Sequence, residues 1–535
     1  MDGKKFQLGR RQFLISSGMA TAATLASTAL AADKIAANSR EESSGTVIIK
    51  GLQVERPVHK PYKLPSLEEM MAASGGSMTG AQGGQQGGTG GQTGQGGPGA
   101  GASGGPGAGG PGGGANATPA IYILDGKYEA GKSKPSAVTG GKVTDRFAQG
   151  VKIKGDSSEL GGVYVKGYGT EYTLYDANIE VSGSGGGLGG TATLASCDDH
   201  ATLILRNCNI TAGGQGRGAS AVQNYGVLKV YNSTLTSNGV PFTEDLSSSS
   251  QKAQLEVDGN CRAHVTLSNS WSYFYYSTIA SEGWAALSTD GSEGFVYLEA
   301  NHCTVKTNKS GYGTYADGSC HNFLNYCDFD VASMAAIIAG EADCTFYNTN
   351  AKCGSYFGLI HCVMGSIEEA GKLRVTGGEI KTKKAVVLVK SANAEIVFDG
   401  ARISSEKGIL LKSEISKDPN AANTADPKGK KVFGINATFR NMDMEGDIVH
   451  TEDKKNRDMN IYLEQTTLKG AIKDARLSMT PLSKWTATAD SNVTLLGDID
   501  RGQIDAPAGV TITAIANMSG TYKLAGSGIL VLKKS

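Results

Sequence analysis

The stretch "VYLEANHCTV" (residues 296–305) and the later stretch "NFLNYCDFDV" (322–331) share one frame. Each reads apolar-x-apolar, a short spacer, a turn residue, two or three residues, and an apolar residue again. The frame returns as "YTLYDANIEV" (172–181), "LILRNCNIT" (203–211), "LKVYNSTLT" (228–236) and "CTFYNTNAKC" (344–353). It returns further as "LRVTGGEIKT" (373–382), "EIVFDGARIS" (395–404), "ATFRNMDME" (437–445) and "IYLEQTTLKG" (461–470). The turn positions are Asp176, Asn207, Asn232, Asn301, Asn325, Asn348, Gly377, Asp399, Asn441 and Gln465, and most successive gaps are 22 to 31 residues. Two wider gaps, 232 to 301 and 399 to 441, leave room for inserted loops or an extra coil each. A fixed period of this size marks a solenoid.

Each copy holds short alternating segments and no helical stripe, so the helical repeat folds are excluded. The leucine-rich consensus is absent too. What remains is an all-β parallel β-helix with coils of two or three strands, each coil advancing about 4.8 Å. Asn suits the bend because it tolerates the left-handed conformation and its amide can bond to the Asn one coil on. In this frame Cys303 and Cys327 each fall two residues after a bend and stack as wall residues, and His302 lies beside a bend on the surface.

This architecture resembles the right-handed, pectin-lyase-like β-helix family of polysaccharide lyases, glycoside hydrolases and bacterial surface adhesins. The resemblance covers residues 118–500, and it speaks for fold far more than for activity. Residues 501–535 carry a changed pattern, as expected of coils that close the open end of a solenoid.

The rest of the chain is organised around that body. It has 535 residues, with 51 basic and 51 acidic side chains mixed along its length, so nothing points to nucleic acid as a partner. Arg10-Arg11 followed by Phe13-Leu14, a mildly apolar run and Ala29-Leu30-Ala31 resemble a twin-arginine export signal over residues 1–31, cleaved after Ala31. The alternative is a general secretory signal with an incidental arginine pair. Either places the protein in the bacterial periplasm, at the cell surface or outside the cell. Residues 1–31 hold four basic and one acidic residue, so the remainder carries 47 − 50 = −3. No later apolar run reaches the ~18 residues that cross a membrane.

Residues 32–74 form a mixed N-terminal segment, with a strand expected within 44–54 and a short helix over 65–74 capped by Ser66. Residues 75–117 are almost wholly Gly, Gln, Pro, Ala, Ser and Thr, a composition that buries too little to offset its ordering entropy; a disordered linker is expected. The nine cysteines form no CxxC pair, and the spacing of Cys303, Cys320 and Cys327 fits no common zinc pattern.

A second strand precedes the frame in each coil. It is aligned as "WAALSTD" (284–290), "YGTYADG" (312–318), "AAIIAGE" (335–341), "FGLIHCV" (357–363), "AVVLVKS" (385–391), "GILLKSE" (408–414) and "DIVHTED" (447–453). Its third column, Ala286, Thr314, Ile337, Leu359, Val387, Leu410 and Val449, is expected to form an apolar strip on an outer face. Such a strip needs a cover: the 32–72 segment, the insertion near 238–260, a partner or a ligand. At its end come Asp290, Asp317, Glu341, His361, Lys390 and Glu414. Trp271, Tyr273, Phe274, Tyr275, Tyr276, Trp284, Tyr312, Tyr315, Tyr356 and Phe357 are expected nearby.

Carboxylates, a His and a Lys beside aromatic platforms suit a groove for sugars or aromatic compounds. The catalytic set is then His361, Asp317, Glu341 and Lys390, and the substrate-binding set is Tyr315, Trp284, Tyr312 and Asp290. The competing reading is that strand ends in any solenoid are polar. "SCDDHA" offers a second candidate in Asp198, Asp199 and His200, like the catalytic carboxylates of polygalacturonase-type β-helices, although that family's Asn-Thr-Asp and Arg-Ile-Lys motifs are missing. No metal set and no cofactor fingerprint is evident, with calcium left open. Two functions follow: an exported enzyme of lyase, hydrolase or isomerase type acting on an extracellular carbohydrate or aromatic small molecule, or a non-catalytic adhesin with the Gly-rich tract as its stalk. Oligomeric state is not legible.

Overall fold

The computed structural model describes residues 47–53, 117–183, 192–214, 216–239, 255–259, 261–290, 294–361, 370–416, 433–452 and 457–535. The export signal with Ala31, the 65–74 helix and the Gly-rich tract up to residue 116 lie outside these. Within them the chain is almost entirely strand. One coil comprises Tyr312–Asp317, Cys320–Asn325 and Asp328–Val331. The next comprises Met334–Ala339, Asp343–Tyr347 and Asn350–Cys353. Each strand pairs in parallel with its counterpart one coil on. The long parallel sheets that result fit a β-helix solenoid. We call them the first, second and third sheets, in the order in which each coil visits them.

Alternation sets the core. In Val296–Asn301, Val296, Leu298 and Ala300 are buried and the residues between them face outward. Aromatics stack inside as well, with Phe346 and Phe357 4.8 Å apart and Phe398 and Phe439 5.8 Å apart. Each buried Phe contributes roughly 1.5–3 kcal/mol of transfer free energy.

The bend between the second and third sheets turns on a residue in the left-handed region, joined by a second one at Gly377-Gly378. Asp176, Asn207, Asn232, Asn348, Gly377, Asn441 and Gln465 hold it as the repeat implies. In three coils the sequence alignment is one residue early. Asn301, Asn325 and Asp399 end second-sheet strands, and the left-handed residues are His302 (φ 53°), Tyr326 (φ 53°) and Gly400 (φ 64°). Choosing Asn by its conformational tolerance missed a second way to hold that conformation. The His302 ring stacks on Tyr276 at 5.0 Å and on Tyr326 at 4.9 Å, nearly parallel to both. Such ring pairs are worth about 0.5–1.5 kcal/mol each, enough to offset the left-handed cost of about 1–2.

The wider gaps have different causes. Between Asn232 and His302 there is a whole extra coil, Cys261–Leu267, Ser270–Tyr275 and Thr278–Ser281, preceded by an insertion. Between Asp399 and Asn441 there is none, since Ala394–Asp399 pairs directly with Ile435–Arg440. Antiparallel pieces close both ends of the stack. Lys127–Tyr128 folds back on Thr118–Leu124, and Gly520–Lys523 folds back on Ile529–Lys534. They blunt edges that would otherwise template further pairing. No helix among the described residues is long and apolar enough to cross a membrane.

Candidate functional site

The outer face of the first sheet gathers most of the expected site residues, in a register that keeps Ile337 and Leu359 in the outward column and shifts the neighbouring coils from the sequence alignment. Thr314 pairs with Ala336, and Tyr315 with Ile337. The outward apolar column is therefore Tyr315, Ile337, Leu359 and Leu388. Ala286, Val387 and Leu410, assigned to the outer strip from sequence, belong to the central core. The alignment slipped because these strands are apolar on both faces, so period-two alternation could not fix their phase.

The next outward row keeps the expected order. Asp317 pairs with Ala339, Ala339 with His361, His361 with Lys390, and Lys390 with Glu414. Asp290 adjoins Asp317, since the residues before them, Thr289 and Ala316, are paired. Glu341 does not join the row. It lies two residues past Ala339, and no hydrogen bond or ion pair links it to His361, so it stands apart from the rest of the expected catalytic set.

The three aromatic side chains do come together. Trp284 and Tyr312 have ring centroids 6.1 Å apart, and Tyr312 and Tyr315 5.7 Å apart. The Arg262 guanidinium bonds Asp290 at 2.6 Å. Burial works against its charge, but Asp290 more than compensates and raises its pKa. Tyr315 approaches Asp317 at 3.4 Å, and the Cys320 thiol approaches the same carboxylate at 3.9 Å. Burial pushes the Tyr312 phenol up to about 12.

What covers this face is a short strap, residues 255–259, from the insertion before the extra coil. Leu255 and Val257 pack with Met334, Ile337, Tyr356, Leu359 and Leu388 in an apolar cluster separate from the central core. Between them Glu256 accepts from Lys390 Nζ at 2.6 Å and from Lys384 Nζ at 2.9 Å. Burial opposes the Glu256 charge, yet its two lysines hold its pKa below the ordinary value. At the strap's other end the Trp284 amide donates to the Asp258 carbonyl at 3.1 Å, and the Asp258 amide donates to Ser310 Oγ at 2.8 Å. The strap thus runs lengthwise over successive coils, and among the covers the sequence left open for the strip, the insertion supplies one.

In the adjoining row His361 is 3% exposed, and Lys390, which reaches the strap's Glu256, is 5% exposed. Burial, with help from Lys390, lowers the His361 pKa to about 3, so its ring is neutral. His361 Nε2 has no hydrogen-bond partner among the described residues. A neutral imidazole beside a cation, two carboxylates farther up the row and three contiguous aromatic rings can move a proton, steady a developing anion and hold a ring-shaped ligand.

The other expected residues lie elsewhere. Phe274 and Phe357 point into the core. Trp271, Tyr273 and Tyr275 face outward on the second sheet, and Tyr276 is a bend residue. Asp198 lies on the first sheet four coils before Asp317, held by Tyr164 at 2.6 Å, and burial raises its pKa. His200 sits in the following turn, stacked on Tyr225 at 4.7 Å. Among the described residues no three His, Cys, Asp or Glu side chains are grouped to hold a metal ion.

Sequence reasoning missed Glu256 and Arg262, the partners of Lys390 and Asp290. The alternation in "LEVDG" (255–259) was the available signal for the strap. The chain matches no protein-family model and no curated protein.

Proposed function

We propose that this chain is an exported, right-handed, pectin-lyase-like β-helix enzyme. Its substrate is a carbohydrate or other hydroxylated organic compound, and it works by proton transfer at the first-sheet row beside the strap. The observation that carries the reading is the burial of His361, Lys390 and Asp317 on the outside of a solenoid wall. Burying such groups costs several kcal/mol per ion, so a wall needing only a cover would do better with apolar residues.

In this reading His361 is the base. Its proton affinity is low beside the strap and rises as a substrate displaces Leu255 and Val257 and readmits polar surroundings. Lys390 stabilises the anion that forms as the proton leaves. Asp317 stands about 10 Å up the row, two strand spacings from His361, and serves as the opposing acid across one bound unit. Trp284, Tyr312 and Tyr315 supply the stacking platform. The test is a turnover screen of the exported form on polysaccharides and aromatic glycosides, with and without calcium, read by new products. Product formation supports the proposal; retention on a polysaccharide without turnover contradicts it.

That second outcome is the mark of the other reading, a non-catalytic surface protein. One observation favours it: Tyr276, His302 and Tyr326 form an exposed ladder of rings along successive bends.

A further inference from the structure

Ile48–Lys50 pairs antiparallel with Asp498–Asp500, which has no other strand partner among the described residues. Lys50 and Asp498 are 448 residues apart in the chain, and their side chains meet at 2.5 Å. Ile49, in register with Ile499, is fully buried in the central core, while Ile48 and Lys50 face solvent. The alternation expected of a half-buried strand is thus completed across nearly the whole length of the sequence.

Backbone bonds continue on either side of this pairing. The Gly51 and Leu52 amides donate to the carbonyls of Gly497 and Leu495 at 2.9 and 2.8 Å, and the Gly497 amide donates back to the Leu52 carbonyl at 2.9 Å. The Arg501 amide donates to the Val47 carbonyl at 2.8 Å. The Asn517 amide donates to the Lys50 carbonyl at 2.7 Å, and Asn517 Nδ2 donates to the Gly51 carbonyl at 2.7 Å. Asn517 follows Thr511–Ala516, which lies one coil beyond Ser491–Leu495. The short segment is therefore bonded to two successive coils at the C-terminal end. Only glycine allows that approach at position 51, where a Cβ would strike the Gly497 and Leu495 carbonyl oxygens.

We propose that residues 47–52 are a clasp that holds the last coils of the solenoid closed, and that residues 511–534 open as one unit when the clasp is released. A coil inside the stack is held by neighbours on both sides, whereas a terminal coil has a neighbour on one side only and is the first to open. Without the clasp, Asp498–Asp500 loses its strand partner and Ile499 its buried counterpart. A three-residue strand cannot hold itself, and closing a loop of this length is a late event, so the clasp docks on coils already formed. The final closure of one end of the solenoid thus waits on the other end of the chain. The inference is independent of the proposed activity.

The experiment follows amide hydrogen exchange by mass spectrometry in the full chain, comparing the wild type with Ile49→Ala, Ile49→Asp and Lys50→Gln. In Ile49→Asp the amides of Thr511–Ala516 and Ile529–Lys534, none of which bonds to the clasp, should exchange about tenfold faster or more. Ile49→Ala should give a smaller change at the same amides, and it decides alone if Ile49→Asp does not fold. Lys50→Gln, which removes an ion pair more than half exposed on both sides, should match the wild type. Exchange in Tyr312–Asp317 should stay unchanged throughout. Acceleration confined to the direct donors Gly497, Arg501 and Asn517 would overturn the proposal, because the last coils would then hold by themselves. Acceleration spread equally to Tyr312–Asp317 would also overturn it, because Ile49 would then serve the whole core and not one end.

Discussion

Asp317 and His361 stand in one outward row of the first sheet with only Ala339 between them. Their separation is fixed by the stacking of coils, about 10 Å for two strand spacings. Neither is placed by a flexible loop. The strap beside the row, in contrast, is joined to it by side chains, and it is the part that substitution can loosen.

Glu256→Gln should loosen it. The change leaves Lys390 buried without its carboxylate partner at 2.6 Å. Glu256 remains about a quarter exposed, so the cost is that of a partly relieved buried cation, about 1–3 kcal/mol. Denaturant unfolding should show a lower midpoint with an unchanged slope. Lys384→Gln, which removes a half-exposed partner of the same carboxylate, should cost less than about 1 kcal/mol. Equal effects of the two would contradict this picture of the strap.

Acid should destabilise the solenoid through its buried imidazoles. Burial lowers the pKa of His264 and His361 to about 3 and that of His321 to about 4, against an ordinary 6.5. The unfolded chain binds these protons first. Their contribution is fully present above pH 6.5 and is lost as pH falls towards 3. Unfolding free energy followed from pH 7 to 5 should lose about one proton's worth less in His361→Ala than in the wild type. Identical pH slopes would mean that His361 is not buried neutral.

The bend column makes a different kind of prediction. Cys303 and Cys327 stack, since the pairs on either side of them are in register, and each thiol donates to the carbonyl two residues earlier at 3.3 Å. Ser233 and Ser277 occupy the same column and make the same bond at 2.8 Å. Cys303→Ser should therefore cost under about 1 kcal/mol and leave metal content unchanged, because the hydroxyl finds a ready acceptor. His302→Val should cost about 2 kcal/mol, since a branched side chain in the left-handed region adds strain and removes both ring stacks. His302→Asn should fall between the wild type and His302→Val. Stoichiometric zinc that disappears with Cys303→Ser would overturn the assignment of these thiols to the wall.

Much of the fold could be read because the second-sheet strands alternate cleanly, as in Val296–Asn301, and because Asn marks most bends. The reading failed locally where another force replaced the one assumed. At His302 and Tyr326, ring stacking holds a conformation that conformational preference assigns to the neighbouring Asn. On the first sheet, Ala385–Lys390 is buried on both faces, so its phase was invisible and Val387 was taken for the outward residue in place of Leu388. The row of Asp290, Asp317, His361 and Lys390 survived that slip because charged residues in an apolar strand announce themselves whatever the phase. Glu341 was drawn in wrongly because the strand was read past its turn. The alternation around Glu256 hinted at a strap, but the pairing of Glu256 with Lys390 and of Arg262 with Asp290 depends on contacts between coils that no local pattern encodes.

The measurement that bears most directly on the proposed site compares His361→Ala with Asp198→Ala on whichever substrate the screen reveals. The account predicts a fall in turnover of roughly 10²–10⁴-fold for His361→Ala, the usual worth of a positioned base, with the fold retained. Asp198→Ala should change turnover little. Full activity in His361→Ala, or its loss in Asp198→Ala alone, would contradict the account and move the chemistry to the N-terminal coils.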